Sequence, residues 1–243
     1  MTLTFAPVAG LPEVRAGDDL AKLIASASPP PASGDVLVVA QKIVSKAEGR
    51  AICLDDMHPS AQAVEIAKAC GKDARLVELV LRESSDVLRV APGVLIVRHR
   101  LGFVIANAGI DQSNLPGSDR HALLLPQDPD ASAARLRSAL GVAVLIADSF
   151  GRAWRLGVAG ACIGCAGLSS LADLRGELDR EGRKLEVTQV AIADEICAAA
   201  TLVMGEAAEG TPAVVVRGVP ARFLQHSRPA TDLVRPLKED LFR

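Results

Sequence analysis

The sequence predicts an α+β fold with mixed and antiparallel sheets, and three observations lead to it. Strand-like and helix-like stretches follow one another without the strict alternation of a doubly wound parallel sheet. Two short apolar runs, 94–97 and 103–106, are separated by a segment containing His99-Arg100-Leu101-Gly102, the pattern of a hairpin. The other strand-like runs are short and β-branched, and they read as buried strands.

In chain order, a short helix is followed by a Ser- and Pro-rich surface loop over 26–34, and then by the first buried strand, Val36–Ala40. Helices are expected over Ser60–Cys70 and Asp73–Arg82. Asp130 can cap a helix over Ala131–Leu140, which Gly141 stops. A third buried strand covers Val142–Ala147. The strongest helical pattern is Ile192–Met204, where Ile192, Ile196, Ala199 and Val203 share one face and Gly205 follows. Pro212–Val216 closes the series as a strand.

Composition narrows the function classes. With 243 residues, 49% hydrophobic and 23% charged, the chain can bury a sizeable core as one domain over 1–243. Five Phe, one Trp and no Tyr leave few platforms for stacking nucleobases, and a net charge of −2 offers no basic face for a nucleic-acid backbone. No apolar run spans a bilayer, and the N-terminus lacks a basic signal-peptide head, so no membrane partner is expected. Five scattered Cys read as thiols of a reducing compartment, which makes cytoplasmic residence the default. Cys162 and Cys165 have CxxC spacing without a second ligand pair, and they are read as packing residues. His58, His99, His121 and His226 show no ligand spacing. The phosphate-binding GxxxxGK[ST] and GxGxxG patterns are absent.

Four polar clusters sit at the ends of apolar elements. Lys42, Ser45, Lys46, Glu48 and Arg50, with Gly49 among them, follow the first buried strand; they suit an anion, or are solvated charges. Asn107-Ala108-Gly109-Ile110-Asp111-Gln112-Ser113-Asn114 offers a hard oxygen ligand and amides, or is an Asx-rich turn. Asp148-Ser149 with Arg152 and Arg155 supplies carboxylate, hydroxyl and two cations, a set suited to a metal-bound phosphate. The 204–211 segment, containing Gly205 and Glu206, can wrap a nucleotide with backbone groups or simply end a helix.

In order and spacing these blocks resemble the coenzyme F-420 gamma-glutamyl ligases, the CofE type, from Gly10-Leu11-Pro12 to Val214-Val215-Val216-Arg217-Gly218. The most specific are Ser45-Lys46-Ala47-Glu48-Gly49-Arg50 and the 107–114 segment, supported by Asp148-Ser149 with Gly151-Arg152. Ser149 stands where Thr is common and keeps the hydroxyl. The resemblance implies GTP contacts at Leu11, Pro12, Glu13, Val14, Gln41, Lys42, Lys46, Asn114 and the loop Met204, Gly205, Glu206, Ala207, Ala208, Glu209, Gly210, Thr211. It implies divalent-metal ligands at Asp111, Asp148, Ser149 and Glu206, for two Mg²⁺ or Mn²⁺ ions, with K⁺ as a further ion. Lys46, Arg50 and Arg152 are the expected catalytic cations. The family's fold implies two subdomains, here 1–85 with 190–243 and 86–189, assembled as a homodimer, without the nitroreductase-like domain that is often fused to it.

The implied activity is ligation of L-glutamate to coenzyme F-420-0 with GTP. Joining a carboxylate to an amine requires an activated carboxylate, and an acyl phosphate formed from GTP meets that need. Phosphoryl transfer needs positioning and charge neutralisation more than a covalent nucleophile. A metal-dependent nucleotide hydrolase or phosphotransferase, and a nucleotide-binding sensor, are the alternatives on the same scaffold.

Overall fold

The computed structural model describes residues 2–113 and 120–240. The first half contains β1 (Thr4–Pro7), α1 (Leu20–Ala25), β2 (Val36–Ala40), α2 (Gln41–Ala47), β3 (Ala51–Cys53), α3 (Ala61–Cys70), α4 (Ala74–Arg82), β4 (Ser84–Ala91), β5 (Val94–His99) and β6 (Val104–Ala106). There follow β7 (His121–Leu123), α5 (Pro129–Leu140), β8 (Ala143–Arg152), β9 (Arg155–Ala166), β10 (Ala172–Asp173), β11 (Gln189–Val190), α6 (Ile192–Met204), β12 (Ala213–Arg217) and α7 (Ala221–Leu224). The fold is α+β, as expected. No helix among the described residues is long and apolar enough to cross a membrane.

The central sheet has five strands in the order β1-β12-β2-β8-β9. Only β2 and β8 run parallel; the other neighbours are antiparallel. Side chains alternate across a strand, so each apolar run supplies two faces. Leu37, Val39, Val144, Ile146 and Val215 pack with Leu20, Ile24, Val44 and Leu136 of α1, α2 and α5. Val36, Val38, Leu145, Val214 and Val216 pack with Ile192, Ile196 and Ala200 of α6. Each such side chain contributes about 1.5–3 kcal/mol when fully buried. A third cluster joins α3 and α4 to Leu95 and Val97 of the three-stranded β4-β5-β6 sheet.

Three local expectations are corrected. Helix α2 follows β2 with no intervening turn, so the charge cluster lies on a helix rather than at a strand end. Helix α5 starts at Pro129, capped by Asp128, whose Oδ1 accepts from Ala131 N at 2.9 Å. Pro at the first helical position needs no partner for its nitrogen, which shifts the cap back to residue 128. Asp130 instead reaches β9 and the 230 segment, where its Oδ1 accepts from Cys165 N and Ala230 N, both at 2.8 Å. Finally, β8 runs on to Arg152 and turns back as β9 through Ala153 and Trp154. Trp154 is 87% exposed at this turn.

The small residues of β9 have a packing reason. A Cβ on Gly164 would collide with the Pro129 carbonyl, and one on Gly160 would stand 2.7 Å from the Cys197 carbonyl oxygen. Glycine at these two positions lets α5 and α6 approach the sheet closely.

Glu83, which caps the C-terminal end of α4, ties the helical layer to the hairpin. Its Oε2 accepts from Arg50 at 3.1 Å and Arg100 at 3.2 Å, and lies 3.5 Å from His99 Nε2. His99 is 1% exposed, and its Nδ1 accepts from Leu101 N at 3.0 Å. A neutral ring therefore carries its proton on Nε2, facing Glu83. The His99 ring, then the Arg100 and Arg50 charges, outweigh burial and hold the Glu83 carboxyl at about 2. A depressed acid stabilises the fold above its unfolded value near 4.5, and that stabilisation is lost as pH falls toward 2. Glu83→Gln is expected to cost about 1–2 kcal/mol at neutral pH, because solvent partly screens the cluster. In urea titrations the gap from wild type should close between pH 4.5 and 2; a gap that ignores pH would refute this role.

Candidate functional site

Helix α2, the end of β2 and the middle of β8 place part of the nominated set. On a helix, residues four apart share a face. Lys42 and Lys46 therefore project together, while Gln41 and Ser45 turn inward, with Ser45 Oγ donating to Gln41 Oε1 at 3.0 Å. The cluster divides accordingly. Glu48 accepts from Ser132 and from Arg135 on α5, and Arg50 Nε donates to the Leu125 carbonyl at 2.9 Å, alongside its bond to Glu83. Neither lines the site.

A cavity of about 560 Å³ opens at this edge of the sheet. Leu11, Pro12, Glu13, Val14, Gln41, Lys42, Lys46, Asp148, Ser149 and the whole of 204–211 line it. Ala40, Ile43, Ala147, Thr201 and Pro212 also line it, and sequence reasoning missed them because small or apolar wall residues carry no chemical signature. Asn114 lies outside the described residues. Arg152 sits on the hairpin, exposed, with its guanidinium donating to the Leu156 carbonyl at 2.9 Å.

Charges within the cavity are paired. Lys46 Nζ lies 2.6 Å from Glu13 Oε1. Lys42 Nζ lies 2.5 Å from Asp111 Oδ2 and donates to Ser113 Oγ at 2.8 Å. Ser113 N in turn donates to Asp111 Oδ1 at 2.7 Å. Asp111 is fixed from behind, since its backbone exchanges hydrogen bonds with Leu123 of β7. It follows three successive residues with positive φ, Asn107, Ala108 and Gly109, and Asn107 Oδ1 is buried without a hydrogen-bond partner among the described residues. Strain of this kind persists where the surrounding structure dictates it, and here it aims Asp111 at Lys42. Ser149 Oγ donates to Glu206 Oε1 at 2.6 Å, closing the 204–211 loop onto β8.

The balance is acidic, with Glu13, Asp148, Glu206 and Glu209 against Lys42 and Lys46 along the walls. Burial first, then the charges of Asp111 and Glu206, raise the Asp148 carboxyl to about 7 against the pull of Ser149 N and Lys42. Burial also acts to raise Asp111, but the Lys42 and Ser113 hydrogen bonds outweigh it, and its carboxyl titrates lower than usual. Carboxylate and hydroxyl oxygens that feel one another in this way suit a hard divalent cation. As arranged, no group of three or more His, Cys, Asp or Glu among the described residues converges closely enough to hold a metal ion; Lys42 occupies Asp111, and Ser149 engages Glu206. The donor chemistry fits, and the positive charge present is lysine.

Cys162 and Cys165 are buried free thiols. Burial pushes the Cys162 thiol up; the neighbouring Cys162, then burial, does the same to Cys165. Both behave as packing residues.

A buried acid with a raised value destabilises the fold above its unfolded value of 3.8, increasingly up to about 7. In chelator-treated protein, Asp148→Asn is therefore expected to raise the thermal midpoint. The gain should be small near pH 4 and grow until about pH 7, as followed by thermal unfolding across that range. A pH-independent difference would contradict the environment assigned to Asp148.

The family model described as F420-0:Gamma-glutamyl ligase matches residues 10–218. The coenzyme F420:L-glutamate ligase of Methanothermobacter thermautotrophicus is 47% identical, covering 100% of both chains. The protein of the same name from Methanopyrus kandleri is 46% identical over 100% of this chain and 98% of its own. That from Natronomonas pharaonis is 51% identical over 86% of this chain and 84% of its own.

Proposed function

The chain belongs to the F420-0:gamma-glutamyl ligase family, and from that premise we propose that it joins L-glutamate to coenzyme F-420-0 at the expense of GTP. The observation that carries this reading is the cavity itself. It is large enough for a nucleotide, and it sets Lys42 and Lys46 opposite Asp148, Ser149 and Glu206 at the end of β2 and the middle of β8.

A carboxylate oxygen of F-420-0 attacks the γ-phosphorus, the bond to the bridging oxygen of GDP breaks, and an acyl phosphate forms. The amine of L-glutamate then attacks the acyl carbon. The carbon–oxygen bond to phosphate breaks, inorganic phosphate leaves, and the nitrogen loses a proton as the amide forms. Lys46 exchanges Glu13 for a phosphate oxygen, and the 205–211 backbone wraps the nucleotide. Asp111, Asp148, Ser149 and Glu206 would hold Mg²⁺ or Mn²⁺, which neutralise phosphate charge when bound. The acidic surplus of the walls supports that requirement, since a triphosphate meets more carboxylates than lysines. Lys42 keeps Asp111 ionised and oriented.

Oxygen labelling tests the order of chemistry. With F-420-0 carrying heavy oxygen in its carboxylate, one labelled atom should pass to inorganic phosphate during ligation. Phosphate labelled only from solvent, with amide product present, would rule out the acyl phosphate, and GTP consumption without amide would favour a hydrolase. Lys46→Met is expected to weaken GTP binding by about 1.5–3 kcal/mol, the worth of a charge-assisted hydrogen bond. Equal affinity by calorimetry would leave Lys46 with Glu13 alone.

We also infer a homodimer through the β8–β9 hairpin. Trp154 and Leu156, the latter 97% exposed, stand together with Val158 on a projecting ribbon, and exposed apolar groups of this kind mark interfaces. Leu156→Arg is expected to convert a dimer to a monomer in sedimentation velocity; a wild-type chain that sediments as a monomer would remove the inference.

A further inference from the structure

A second cavity, of about 310 Å³, lies on the outer side of β9. Its polar groups are Arg98, Asp194, Arg235 and Asp240, and Phe103 and Phe150 form an apolar wall with ring centroids 5.8 Å apart. None of them enters the mechanism above.

Arg98 is the informative group. It is 8% exposed. One terminal nitrogen donates to the Gly102 carbonyl at 3.3 Å, and the other lies 3.7 Å from Asp240 Oδ2, beyond hydrogen-bond reach. Its Nε is buried with no hydrogen-bond partner among the described residues. A guanidinium with an unmet buried donor carries a desolvation cost that an anion entering the cavity would remove. Asp194 projects from α6; its Oδ1 accepts from Cys162 N at 2.8 Å, which fixes the carboxyl in the cavity wall. Arg235 is exposed among the lining residues. The cavity thus presents two cations, Arg98 and Arg235, and two carboxylates, Asp194 fixed by Cys162 N and Asp240 at 3.7 Å from Arg98, so a zwitterion with a second acid group would take the place of Asp240 beside Arg98.

Its position matters as much as its chemistry. Ala161, which lines it, is the cross-strand partner of Asp148, which lines the nucleotide cavity. Phe150 lies two residues beyond Asp148 on the same strand, roughly 7 Å along it. The two cavities are therefore lined by neighbouring residues of the β8–β9 ladder, Asp148 on one side and Ala161 and Phe150 on the other.

We propose that this second cavity seats the incoming dicarboxylic amino acid, with its two carboxylates on Arg98 and Arg235 and its ammonium toward Asp194. The assignment rests on the ligase reading and deepens it.

The test uses the full chain with GTP, F-420-0 and L-glutamate, scored by mass spectrometry and initial rates. Arg235→Met and Asp194→Asn are expected to raise KM for L-glutamate about tenfold or more, with KM for GTP changed by less than about twofold. Asn at 194 keeps the acceptor for Cys162 N, so it tests charge rather than packing. Arg98→Met should do the same; if it fails to fold, the other two variants decide. Unchanged KM for L-glutamate in both, or a rise confined to KM for F-420-0, would overturn the proposal. If the wild type forms no amide, the ligase reading falls by itself, and calorimetric titration with L-glutamate decides the cavity. Heat that Arg235→Met abolishes would uphold it, and no heat would overturn it.

Discussion

The parallel pairing of β2 with β8 is the constraint on which the site depends. Ala40 and Ala147 are register partners, so the end of β2 lies beside Asp148, the next residue of β8, at one side of the sheet. Antiparallel pairing then brings the start of β12 and the end of β1 to the same side. Ala40 N donates to the Pro212 carbonyl at 2.8 Å and Val8 N to the Ala213 carbonyl at 2.9 Å, which locks those ends in place. Lys42, Asp148, the 204–211 loop and the 11–14 segment are thus neighbours because four strands meet at that side. Their separation in sequence is large, yet no long loop has to reach across the molecule. Open sheets place ligands at such carboxyl ends for the same reason.

Two carboxylates mark the division of labour between fold and site. Glu83 receives two guanidiniums and faces an imidazole, and its charge is an asset to the folded chain. Asp148, half-buried in the cavity wall, feels the charges of Asp111 and Glu206, and its own charge is a liability. Arg50 belongs to the first group. Although it belongs to the same charge-rich segment as the cavity lysines, it holds the end of α2 to Leu125 and Glu83, and so fixes the helix from which Lys42 and Lys46 project.

Much of this was legible in sequence where one physical signal dominates. Val36–Ala40 and the run after Gly141 read as buried strands because β-branched residues admit little else, and Ser60 and Asp73 announce α3 and α4 through their side-chain caps. Helix α2 was not legible: Ala40 precedes it and offers no capping side chain. Strand β9 was hidden by Gly160 and Gly164, which weaken strand propensity but admit α6 and α5. The cap of α5 was displaced by Pro129. Cavity-lining groups such as Lys46, Asp148 and Glu206 stood out by charge, whereas Thr201 and Ala147 acquire a place in the cavity only through tertiary geometry. The cavity around Arg98 joins residues from β5, β9, α6 and the C-terminal segment, and no local pattern links them.

The position of β12 in the sheet also sets an order in time. It lies between β1 and β2, yet it comes last of the strands in sequence. During synthesis β2, β8 and β9 can associate while the β2 edge stays open, and β1 has nothing to pair with until about the last tenth of the chain emerges. Asp130 joins the same late event, since it binds Ala230 N across a separation of 100 residues. The 204–211 loop, which lines the larger cavity, lies directly before β12. A nascent chain therefore has no complete cavity there, and sheet closure and acquisition of that cavity become a single step.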